Sequence, residues 1–132
     1  MLRRVIGRRI FWTVNMVMVA LFVVSATLQI NDPDPLVWIA AYSLAALVSL
    51  AVGQRASQWP AALLISSGAL GWSLYLLRPI WGKVSLAELF QDMDAKGGAV
   101  EVARESAGLL IIAGWLMVVA LVQRRHTRRN RI

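Results

Sequence analysis

Two short stretches of this chain gather the side chains that could do chemistry. The first is "QINDPDP", with Gln29, Asn31, Asp32 and Asp34. The second is "EVARES", with Glu101, Arg104 and Glu105. On a helix, Glu101 and Glu105 lie one turn apart on one face with Arg104 beside them. Like charges at that spacing repel unless Arg104, another cation or a proton intervenes. Such a set allows three kinds of chemistry. Arg104 can clamp a carboxylate, the carboxylates and the Asn31 carbonyl can hold a hard divalent cation, or paired carboxylates can work as acid and base. The spacing is not that of an EF-hand loop. The only histidine, His126, lies far off in a basic tail, and there is no cysteine. Thiolate metal sites, disulfides and His-activated nucleophiles are therefore disfavoured, and no residue is assigned a catalytic role.

The elements that must position these residues are apolar. Of the 132 residues, 58% are hydrophobic and the mean hydropathy is +0.62, above the roughly 45–50% of a soluble domain. The excess falls in blocks rather than on amphipathic faces. The reading is an all-α, four-span transmembrane bundle forming a single membrane domain over 1–132, with spans at about 10–30, 36–54, 59–78 and 103–123. The blocks do not alternate apolar and polar residues, as barrel strands must. The start, "MLRRVIGRR" before an apolar run, resembles a signal peptide, but the run exceeds a usual h-region, so a retained first span is expected.

Charge orients the spans. Arg3, Arg4, Arg8, Arg9, Arg55, Arg124, Arg125, Arg128, Arg129 and Arg131 lie on one side with no acid. All seven acids lie in the other two connections, with only Arg78, Lys83, Lys96 and Arg104 as bases. The positive-inside rule places both termini in the cytoplasm, and the bacterial inner membrane is the expected location. The basic tail 124–132 reads as an anchor attracting anionic lipid, not as a nucleic-acid arm. Trp12, Trp59, Trp38 and Trp81 are expected at span ends, at the interfacial level. Trp72 and Trp115 lie within spans, as bundle packing.

Small residues suggest how the helices approach. Ala41, Ala45, Ser49 and Gly53 recur every fourth residue and form a stripe for close packing within the bundle, or for a second copy or partner subunit. Ser67, Gly68 and Gly71 repeat the theme in the third block, and Gly108 and Gly114 in the fourth. Asn15, the one strongly polar residue deep in block one, should bond across helices. No span interior carries a charge, which disfavours an ion pathway.

In the outer loop, Ser85 and Glu88 form a capping box. Leu86, Leu89, Phe90 and Met93 follow as one apolar stripe, and Gly97–Gly98 supply a stop. An amphipathic helix over about 85–96 is expected, lying on the membrane or covering a site. Within the turn, Asp34 is expected to N-cap span two with Pro35 at its first position, and Asn31 to close span one in a left-handed conformation.

"QINDPDPLVWIAAY" together with "EVARESAGLLIIAGW" resembles the transmembrane protein 220 family of small four-span proteins. The likeness rests on Gln29, Asn31, Asp32, Pro33, Asp34, Trp38 and Tyr42, and on Glu101, Arg104, Glu105, Gly108, Leu109 and Trp115. It implies the fold and no particular reaction. It also implies that the two motifs meet, with Arg104 pairing with a carboxylate of the turn and Tyr42 below it. The expected function is a structural or accessory membrane protein with an outer-face polar cluster. The alternatives are a divalent-cation or small-ligand binder and, behind these, an interfacial enzyme.

Overall fold

A computed structural model describes residues 2–52, 58–92 and 94–129. Gly53, Arg55, Met93 and Arg131, each invoked above, lie outside the described residues. Four helices carry the chain: α1 (Leu2–Leu28), α2 (Pro35–Leu50), α3 (Trp59–Leu77) and α4 (Ala99–Arg129). Prolines open two of them. Pro35 begins α2 and Pro60 sits in the first turn of α3, where a missing N–H costs nothing. Helices α1, α3 and α4, the first two with short 3-10 extensions, are long and apolar enough to cross a membrane. Helix α2 is apolar but has 16 residues, about 24 Å at 1.5 Å per residue, short of a hydrocarbon core of roughly 30 Å. Helix α4 does not stop at the expected boundary near 123. It runs through the basic segment to Arg129.

The helices pair as two hairpins, α1 with α2 and α3 with α4, which meet mainly through α2 and α4. The buried faces are built from small residues. On α3 these are Ala62, Ser66, Ala69 and Ser73, while Leu64, Leu70 and Leu74 point outward. In lipid no hydrophobic force favours burying a leucine, so close backbone approach decides which face turns inward. Larger side chains fill the centre, where Phe22, Trp38, Leu109, Ile112 and Leu116 form one cluster.

The stripe on α2 is used inside the chain. Ala45 and Ser49 are fully buried and Ala41 packs against the core. Asn15 donates from Nδ2 to the Ser49 carbonyl at 2.9 Å, the cross-helix bond its position called for. The face proposed on α3 is different: Ser67, Gly68 and Gly71 are exposed, as is Gly114 on α4, and only Gly108 is packed.

The amphipathic helix expected over 85–96 does not form. One 3-10 turn, Ala87–Phe90, replaces it. Half of the capping box is present, the Ser85 N–H donating to Glu88 Oε2 at 2.7 Å. Lys96, Gly97 and Gly98 then adopt positive φ in succession and turn the chain into α4 rather than ending a helix. The predicted apolar stripe splits accordingly: Leu89 packs on Ile80, Ala99 and Ala103, while Leu86 and Phe90 remain 83% and 89% exposed. Lys96 pairs with Glu88 at 2.5 Å. That bond, with the Ser85 contacts, holds the Glu88 carboxyl down at about 2 from an ordinary 4.5.

Candidate functional site

The two polar motifs converge at the bundle end that carries the turn. Between the end of α1, α2, the start of α4 and the loop lies a groove of about 540 Å³. Gln29, Asp32, Tyr42, Arg104 and Glu105 line it together. Three other expected members stand apart. Asn31 and Asp34 are exposed and Glu101 is half-buried, and none of them lines the groove.

Local geometry explains the split. After Leu28 the chain tightens into a 3-10 turn, Gln29–Asn31, closed by the Asp32 N–H donating to the Gln29 carbonyl at 3.0 Å. Asn31 therefore has no left-handed conformation to supply. Gln29 and Asp32 flank the turn and face inward. Asp34 occupies the N-cap position of α2, yet its side chain makes no capping bond.

Arg104 does not pair with Asp32 or Asp34. Its Nε donates to the Leu89 carbonyl at 2.5 Å and its Nη2 to the Gln91 carbonyl at 2.9 Å. The 3-10 turn at Ala87–Phe90 brings those carbonyls over the start of α4 with no helix to satisfy them, and a guanidinium fork can meet two at once. The clamp thus exists, but it fastens the loop to α4 rather than the turn to α4.

Two residues shape the floor. Trp38, expected at the interfacial level, lies in the first turn of α2; it is 4% exposed and stacked on Trp72 at 5.0 Å and 15°. Its indole N–H is directed at the Glu105 carboxylate but has no partner at hydrogen-bonding distance among the described residues. Gly108 lies against Tyr42: a Cβ built on it would stand 2.0 Å from the Tyr42 hydroxyl oxygen. The absence of a side chain at 108 is what lets the ring lie across α4. The spacing of Trp38 and Tyr42, four residues apart on one helical face, was a signal that both belong to the site. Leu89 and Phe90, which also line the groove, carried no such signal, because their place depends on how the loop folds back.

The carboxylates do not assemble a metal centre. Among the described residues no three His, Asp or Glu side chains come close enough to hold an ion. Asp32 and Glu105 face the groove, and Glu101 and Asp34 are near enough to act electrostatically on Glu105.

Apolar helices of spanning length, small-residue contacts and leucines turned outward define a multi-pass helical membrane protein. The comparisons make this specific. The model for transmembrane family 220 matches residues 21–121, a stretch that includes both polar motifs, and the chain belongs to that family. It is similar to Transmembrane protein 220 of Xenopus laevis, with 31% identity over 129 residues, covering 85% of this chain. The chain spans 60% of the length of that curated relative. No solved structure matches.

Proposed function

We propose that this protein is an accessory membrane protein whose turn-end groove binds a small amphiphile. The groove itself carries the reading. It joins both polar motifs, with polar residues at its head and apolar ones along its length. A head that carries charge and a tail that carries none match those two parts. The cation alternative lacks a set of ligands, as described above. For the enzyme alternative, no serine or histidine among the described residues lines the groove beside Asp32 and Glu105.

We place both basic ends in the cytoplasm and the groove on the opposite side, and we propose that the basic end meets anionic lipid. Arg124, Arg125 and Arg128 surround a concavity of about 190 Å³ on α4, and Arg124 also lies over the Trp59 ring at 5.5 Å. These features suit a headgroup layer rich in phosphate. A reporter active only outside the cytoplasm, fused after Arg129, should stay silent; activity there would reverse the orientation.

The groove is tested with Ala107→Leu, which fills it from a lining position. Protein purified in mild detergent should carry an amphiphile, detectable by mass spectrometry of the native complex, that the variant does not retain. The two should melt alike once stripped. Equal retention by both proteins would overturn the reading.

A further inference from the structure

We infer that the occupant of the groove is an aminophospholipid, held by its ammonium headgroup. This rests on the groove being a binding site, as proposed above, and concerns what it selects.

The charge arrangement selects the head. Asp32 and Glu105 both line the groove, and among the described residues Arg104 is the only basic one that does so. Its guanidinium is turned to the loop, where Nε and Nη2 are engaged by the Leu89 and Gln91 carbonyls. Two carboxylates therefore face the space while the one cation is largely committed elsewhere. An ammonium group meets carboxylates with strong charge-assisted hydrogen bonds, and the rings of Tyr42 and Phe90 beside it favour a cation. The Trp38 N–H points at the Glu105 carboxylate and is itself shut off from the groove, so the floor offers no place for an anion. The part of the head that the groove selects is the ammonium of an aminophospholipid.

The apolar walls select the tail. Leu28 and Ile111 line the groove and are both exposed at the bundle surface. Glu105, Gly108 and Ile111 follow at three-residue steps along α4, so the groove passes from a charged head region into the apolar part of the helix. An acyl chain can leave sideways along that face into the bilayer.

Native mass spectrometry from nanodiscs of phosphatidylethanolamine or phosphatidylglycerol, matched in chain length, tests this. The ethanolamine lipid should remain bound and the glycerol lipid, which lacks the ammonium, should not. Asp32→Asn and Glu105→Gln preserve shape and remove one charge each. Either should weaken retention about tenfold or more, while the lipid-free melting curve holds the fold to account. Equal binding of both lipids, insensitive to the two substitutions but lost in Ala107→Leu, would overturn the headgroup inference and leave the groove standing. No retained lipid at all, with Ala107→Leu indistinguishable from the parent, would overturn both. Soluble phosphoethanolamine that matches the whole lipid in protecting against unfolding would also overturn the lipid as occupant.

Discussion

The α3–α4 interface and the groove between α2 and α4 use similar materials to opposite effect. Along the first, Ser66 Oγ donates to the Ala113 carbonyl at 2.6 Å. One turn and more away, the Ser73 and Ser106 hydroxyls lie 2.7 Å apart, each also within reach of the other's backbone carbonyl. All three hydroxyls are buried and all are satisfied. Along the second, Tyr42 rests on Gly108, and the Trp38 N–H is directed at Glu105 but has no partner at hydrogen-bonding distance among the described residues. A membrane interface meant only to hold two helices together closes its polar groups internally, because lipid offers them nothing. Buried polar atoms without a partner among the described residues also occur away from the groove, at Asn15, Ser49, Trp115 and Gln123, so what sets the groove apart is the open space beside Asp32 and Glu105.

The comparison can be broken most forcefully at Gly108. Gly108→Ala sets a methyl against the Tyr42 hydroxyl, and overpacking of this kind costs about 1–3 kcal/mol. Tyr42→Phe, which removes the oxygen, should recover part of that loss. If Gly108→Ala melts like the parent in detergent, the α2–α4 contact is not as close as described. The serine seam should respond less. A double-mutant cycle with Ser73→Ala and Ser106→Ala should give a coupling of about 0.6 kcal/mol, the typical value for such bonds in membrane bundles. No coupling would mean that the two hydroxyls do not share a bond.

The smallest effect belongs to the loop, and it should appear as pH dependence. Glu88 has its carboxyl lowered from an ordinary 4.5 to about 2, chiefly by the Lys96 bond and then by Ser85. A depressed acid contributes order above its unfolded value and loses it as pH falls through the folded one. Protection of residues 83–92 against hydrogen exchange should therefore be full above about pH 4.5 and fade toward pH 2, with α3 and α4 unchanged. Glu88→Gln should remove that pH dependence at once. The pair is at the surface, so bundle stability should not register it.

How far the sequence could be read depended on the range of the forces involved. Apolar blocks report helices directly, since a segment of that length without charge has few other stable forms in lipid. Asn15 was readable for the same reason, as an amide in hydrocarbon must find a partner. The loop was not. The Ser85–Glu88 box and the Leu86–Leu89–Phe90 spacing describe a helix, but Lys96, Gly97 and Gly98 all turn left-handed, and Arg104 supplies two hydrogen bonds to Leu89 and Gln91 that a helix would have made for itself. A short helix in water is marginal, and one arginine from a distant segment is enough to favour the tighter turn.

The sequence by itself determined that this is a helical membrane protein, which follows from hydropathy. The resemblance to a family implied that the two polar motifs meet, and of the eight residues expected there Gln29, Asp32, Tyr42, Arg104 and Glu105 line one groove while Asn31, Asp34 and Glu101 do not. Only the tertiary structure decided that Arg104 holds the loop instead of the turn, that Trp38 is buried against Trp72, and that Gly108 makes room for Tyr42. Each of these is a choice among partners of similar chemistry, and it is settled by which backbone comes within about 3 Å.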